Sequence, residues 1–282
     1  MLKEIILDTL LDGIKLLPFL FLAYLAIEFI EHKFEEKTVA FVHRAGPLGP
    51  VVGALCGVIP QCGFSAAASN LYAGGIISLG TLLAVFLSTS DEMLPILISQ
   101  NVETGLILKI LLFKVFAGLL AGVLVDIVIR RLGRERHKHI HEMCEEEGCK
   151  CEDGILKSAL RHTVRIFVFL LVITFALNCA VELLGEERLA GFILNRPVLG
   201  ELLSGLIGLI PNCAASVVIT QLYLQGGMSA GAMLSGLLVG SGVGVLVLFR
   251  MNHNIRENLI ALGLLYSFGV VLGIVGGLLP IF

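Results

Sequence analysis

Long apolar runs separated by short polar stretches dominate this chain. The runs at 10–31, 76–90 (extendable to 98), 106–129, 163–184, 229–249 and 257–281 carry few charges. Most approach the ~20 residues that an α-helix needs to cross a bilayer core. Two further apolar stretches are each interrupted by a Pro-polar-Cys triplet, Pro60-Gln61-Cys62 and Pro211-Asn212-Cys213, 151 residues apart. Laid over each other at that offset, their surroundings agree at Leu55/Leu206, Gly57/Gly208, Ile59/Ile210, Ser65/Ser216, Tyr72/Tyr223, Gly75/Gly226, Ser78/Ser229 and Gly80/Gly231. The same offset lays 10–31 on 161–182 and 104–130 on 255–281. The pattern predicts an all-α polytopic membrane protein made of two copies of one unit. The first repeat is 1–131, a polar linker is 132–160, and the second repeat is 161–282. A duplicated apolar unit with a broken helix in each copy is the usual sequence sign of a secondary transporter.

Composition agrees with a lipid solvent. Of 282 residues, 56% are hydrophobic and only 15% charged, against about 25% charged in a soluble domain. The first run begins with Asp8 and Asp12 and contains Lys15. It lacks the basic start and small-residue cleavage site of a signal peptide and reads as a retained helix. The net charge of −3 itself says nothing about nucleic acid, and no nucleic-acid partner is expected.

Lys and Arg concentrate in 32–45, in the linker with its flanks, and in 250–256. The positive-inside rule places those regions in the cytoplasm and both termini outside, in a cell (inner) membrane. Loop 183–196, the counterpart of 32–45, then lies outside, as does 99–105, the counterpart of 250–256. Matching loops on opposite faces predict inverted-topology repeats, each crossing the bilayer an odd number of times. The halves 48–59 and 63–73 are each about 18 Å long at ~1.5 Å per residue, near half a bilayer. A re-entrant hairpin with its tip at the triplet meets the parity and is the preferred arrangement. Five short spans per half, with a Pro-broken helix, also meet it. Irregular backbone at that depth requires cover by protein or a water-filled cavity.

The triplets are the first candidate site. Proline opens each helix, and the freed carbonyls and the next helix start can face a ligand. Cys62 and Cys213 at equivalent positions suit a soft metal or metalloid, with Gln61 and Asn212 adding neutral donors. The bland alternative is a kink with small buried cysteines. The second candidate is Ser88-Thr89-Ser90-Asp91-Glu92, whose counterpart is Val239-Gly240-Ser241-Gly242-Val243. Only the first copy holds carboxylates, and ionisable groups within a span are costly and usually functional. Ser90, Asp91, Glu92 and Ser241 join the candidate substrate site, with Asp91 and Glu92 as metal ligands or proton carriers. An N-cap in the headgroup region would also account for them.

Asn70 and Gln221 are equivalent polar positions that line the same path or bridge helices. In the linker, His137, His139, His141, Cys144, Cys149 and Cys151 among carboxylates have zinc-ligand chemistry, although such tracts are often solvated tails. Glu28, Lys109, Lys114, Asp126, Asn178, Glu182 and Glu201 mostly sit within two turns of a span end, from where side chains snorkel.

The stretch Gly57-Val58-Ile59-Pro60-Gln61-Cys62-Gly63-Phe64-Ser65, with Ser88 to Glu92 and Gly208-Leu209-Ile210-Pro211-Asn212-Cys213, resembles the ten-span heavy-metal exporters of bacteria and archaea. That family includes proteins described as arsenic efflux or manganese transporters, and the likeness covers nearly the whole chain. A more distant likeness is to the organoarsenical permeases, but here Ser90-Asp91 follows Ser88-Thr89 where those carry proline, and the triplets have no Cys-x-Cys pair. The resemblance implies export of a metal or metalloid ion such as manganese or arsenite.

Alternating access with proton coupling is the expected mechanism. No Gly-x-x-x-x-Gly-Lys loop is present to bind ATP, no cofactor is expected, and a homo-oligomer is compatible. Two alternatives stay open: a carrier of a small organic solute, and a membrane thiol redox enzyme. The second is disfavoured because no Cys-x-x-Cys occurs.

Overall fold

A computed structural model describes residues 48–59, 62–90, 93–132 and 198–279, with scattered helical positions within 14–25 and 156–175. Ten helices are complete among them. In the first repeat they are α1 Gly49–Gly57, α2 Cys62–Ala73, α3 Leu79–Ser88, α4 Met93–Ser99 and α5 Thr104–Arg131. In the second they are α6 Leu199–Gly208, α7 Cys213–Leu224, α8 Ala230–Val239, α9 Gly244–Met251 and α10 Ile255–Leu278. The starts of α2 to α5 fall 151 residues before those of α7 to α10, so the repeat seen in sequence is also a repeat of helix boundaries.

The boundaries have matching causes. Gly75 and Gly226, both at φ +73°, turn the chain after α2 and α7 in a left-handed conformation that glycine adopts without cost. Ser78 and Ser229 then cap α3 and α8, accepting from the backbone N–H of Thr81 and of Ala232 at 3.1 Å each. A capping hydroxyl satisfies one of the orphan amides at a helix start.

Four stretches are long and apolar enough to cross a membrane: Leu79–Ser99, Thr104–Arg131, Ala230–Met251 and Ile255–Leu278. The two that are interrupted lie inside, with Leu79–Ser99 75% buried and Ala230–Met251 89% buried. The two continuous ones lie outside, α5 39% and α10 33% buried. Leu108, Leu112, Phe116, Leu120 and Leu124 form an exposed apolar stripe on α5, and Leu259, Ile260, Val271 and Val275 do the same on α10. Such faces suit contact with lipid rather than water. Broken backbone is kept where protein can satisfy it, and regular helix faces the hydrocarbon.

Within each repeat the first half-helix and the long helix sandwich the broken one: α1 and α5 on α3, α6 and α10 on α8. Small residues set the spacing. A Cβ at Gly122 of α5 would stand 2.6 Å from the carbonyl oxygen of Gly80 in α3, and Gly273 of α10 similarly abuts Ser235 of α8. Close helix approach through glycine is the usual packing device in lipid. Between repeats the pairing is reciprocal. The second half-helix of one repeat packs on the last half-helix of the other, α2 on α9 and α7 on α4. In the first repeat the halves of the interrupted segment therefore diverge: α1 stays with its own repeat and α2 packs chiefly on the other, whereas α7 divides between α8 and α4.

Asp126 departs from the expectation that span-end charges snorkel outward. Its carboxylate turns inward and accepts from the Ser78 hydroxyl at 2.7 Å and the Gly80 N–H at 3.0 Å. It thereby anchors α5 to the positive end of α3. In the second repeat the equivalent residue is Gly277, and the carboxylate at the start of α8 comes from Glu201 of α6, buried beside Gly231.

Candidate functional site

Each repeat contributes two interruptions. The first repeat breaks after Gly57 and after Ser88, the second after Gly208 and after Val239. In the first repeat the two are in direct contact. The Ser90 hydroxyl donates to the carbonyl oxygen of Val58 at 2.5 Å, and Gly57 lies flat against Ser88 and the Val85 carbonyl. Ser88, Thr89 and Ser90 are all buried. Ser88 donates to the carbonyls of Ala84 at 2.8 Å and Val85 at 3.1 Å, and Thr89 to Val85 at 2.7 Å. Each of these hydroxyls has one proton, now committed to the backbone. What remains on the three oxygens is acceptor capacity alone.

The second repeat brings its own break to the same place. The Ser69 hydroxyl of α2 donates to the carbonyl oxygen of Gly244, the first residue of α9, at 2.7 Å, and shares that proton with Ser65 at 2.9 Å. Gly244 also packs on Ser65 and Phe86. The Val239 to Val243 turn is thus seated against α2 and α3 of the first repeat. It is buried throughout, including Ser241, with Gly242 at φ +54°. Reciprocally, α7 meets α4 just past the Ser88 break.

Asn212 is buried, and its N–H folds back to the Ile210 carbonyl at 2.7 Å as the chain turns at half-buried Pro211. Cys62 and Cys213 are the first residues of α2 and α7. Asn70 is fully buried, whereas its counterpart Gln221 is exposed, so these two do not share one environment. Pro60, Gln61, Asp91 and Glu92 lie outside the described residues, as do His137, His139, His141, Cys144, Cys149 and Cys151 of the linker.

Lys114 departs from the expectation that it snorkels. It is 1% exposed, and its ammonium donates to the carbonyl oxygen of Leu237 in the last turn of α8, at 2.5 Å. Thr104 begins the helix ten residues earlier, about 15 Å away at ~1.5 Å per residue. That is too deep for the side chain to reach the headgroups. The signal available in sequence was this depth: a charge well over two turns into an apolar run turns to the protein interior.

The buried junction of four helix ends brings together hydroxyl oxygens, interrupted helix termini and one lysine amine, groups that could contact a small polar or charged species. Residues 1–181 match a family model described as "Putative, 10TM heavy-metal exporter". The chain belongs to that ten-span heavy-metal exporter family. The match spans the first repeat, the linker and the start of the second repeat. Comparisons with curated proteins and with solved structures give no match. Membership makes this a multi-pass membrane protein of a metal-exporter family, consistent with its four candidate spans. The Pro60 triplet and the Ser88 to Glu92 break both lie inside the matched region.

Proposed function

We propose that this exporter moves a metal or metalloid ion out of the cytoplasm by alternating access, through a central site formed where the helix breaks of its two repeats meet. The observation that carries the reading is the buried junction itself: Ser90 on Val58 within one repeat and Ser69 on Gly244 between repeats. Each repeat lends its second half-helix to the other, as a two-fold relation between the halves requires. The charge pattern of the loops favours the inverted form of that relation. Rocking one repeat against the other would then expose the shared site to either face.

The donor set favours a cation. Ser88, Thr89 and Ser90 have spent their protons on backbone carbonyls, and Asp91 and Glu92 follow directly in the chain. Oxygen donors of this kind suit a hard or borderline divalent ion such as manganese, while Cys62 and Cys213 would add affinity for softer ions. The energy would come from an ion gradient, with protons as the expected coupling ion.

The test is cellular metal content with and without the protein, across manganese, zinc, cadmium and arsenite. Lower retention of at least one of them is expected. Unchanged content of all four would overturn the reading and leave a small organic solute as the cargo.

A further inference from the structure

The second repeat's broken helix ends without a side-chain hydroxyl cap of its own. In the first repeat, Ser88 and Thr89 close the end of α3 with their hydroxyls. Their counterparts at the end of α8 are Val239 and Gly240, which have none. The last four carbonyls of a helix lack partners within it. At α8 the Gly236 oxygen is taken by the Gly240 N–H at 2.9 Å, and the Leu237 oxygen by the ammonium of Lys114. The side-chain cap on Leu237 therefore comes from the other repeat, from an amine that can carry a positive charge.

The first repeat closes the end of α3 with neutral groups only, the Ser88 and Thr89 hydroxyls on the Ala84 and Val85 carbonyls and the Thr89 N–H on that of Phe86. The residue equivalent to Lys114 is the apolar Leu265, and the carbonyl equivalent to that of Leu237 is that of Phe86, which accepts from the backbone N–H of Thr89 at 3.3 Å instead. A charge in the hydrocarbon interior costs free energy that a hydroxyl would not. One turn further along α5, Gly118 lies against the end of α3: a Cβ there would stand 2.6 Å from the Ala84 carbonyl and 3.4 Å from the Ser88 Cβ. The stretch 114–118 thus runs between the ends of the two broken helices, and the ammonium stands at the edge of the buried junction.

From this we infer that Lys114 is the resident cation of the transport site. Its ammonium occupies the open carbonyl end of α8 while no metal is bound, and an arriving metal cation displaces it. The inference rests on the cation-export reading above. The empty carrier is then charge-compensated and free to reorient, and the returning ammonium helps to expel the ion on the far side.

The test uses purified full-length protein and K114Q and K114M variants, with manganese(II), cadmium(II) and arsenite as probes. Arsenite is neutral near pH 7. Binding is followed by calorimetry and efflux in metal-loaded proteoliposomes. Loss of the ammonium should tighten binding of the divalent ions at least about ten-fold, since charges a few ångströms apart repel strongly even at an effective dielectric of about 20. It should slow their net efflux by a similar factor. Arsenite affinity should not move, which separates a charge effect from a change of shape. Divalent affinity within two-fold of wild type in both variants would overturn the assignment, as would an equal shift for arsenite. Loss of the folded state in both variants would reduce Lys114 to a structural cap and overturn it too. A wild-type protein that binds none of the probes would overturn the export reading, and this inference with it.

Discussion

Gly57→Ala tests whether the two breaks of the first repeat really touch. The added methyl would stand 2.6 Å from the Val85 carbonyl oxygen and would also run into the Ser88 hydroxyl. The hydroxyl can rotate away, but the carbonyl belongs to the backbone of α3 and cannot. Carbon contacts are comfortable near 3.5 Å, so α1 must move off α3 by on the order of 1 Å. Overpacking of this kind costs about 1–3 kcal/mol. The usual gain of alanine over glycine in a helix is small here because Gly57 is the last residue of α1. Gly263→Ala is the control. That glycine sits within α10 with nothing inside 4 Å of its notional Cβ, so alanine should stabilise by about 0.5–1 kcal/mol. Thermal melting in detergent, with metal efflux from proteoliposomes measured in parallel, separates the two. Gly57→Ala should melt lower and lose most of its efflux, while Gly263→Ala should match or exceed wild type in both. If the two variants behave alike, the contact between the breaks is not as described and the central site loses its main support.

Other consequences are equally direct. Asp126→Ala strips the anchor from the Ser78 hydroxyl and the Gly80 N–H, two hydrogen bonds to a charged group, and should cost about 2–4 kcal/mol. Asp126→Asn should cost roughly half as much on the same reasoning, and equal melting of both variants with wild type would dispose of the anchoring role. Thr89→Val keeps the shape but removes one of the acceptor oxygens, and should weaken divalent-ion binding by about ten-fold, the worth of one polar contact to a charge. Unchanged affinity in calorimetry would take that hydroxyl out of the site. Asp91→Asn should abolish movement of a divalent cation but spare neutral arsenite, and full manganese efflux by this variant would remove Asp91 from the mechanism.

Some of the molecule was readable before any coordinates. Doubling leaves identical residues at a fixed offset, and the helix starts obey that offset because they depend on local chemistry: Ser78 and Ser229 as caps, Gly75 and Gly226 as left-handed turns. The interruption at each proline is local as well, since a missing N–H breaks a helix wherever it falls. Burial of the broken spans and lipid exposure of the continuous ones follow from backbone that cannot go unsatisfied in hydrocarbon.

What the chain alone could not decide is where side chains go once helices pair. Lys114 and Leu237 are 123 residues apart, and nothing near either names the other. Asn70 and Gln221 occupy equivalent positions, yet one is buried and the other exposed, and α2 packs far more extensively on α9 than α7 does on α4. Sequence therefore determined the repeat, the breaks and the solvent, which are properties of short stretches. Tertiary structure alone decided that the breaks meet and that a lysine of one repeat closes the helix end of the other, because those contacts exist only after distant segments have packed.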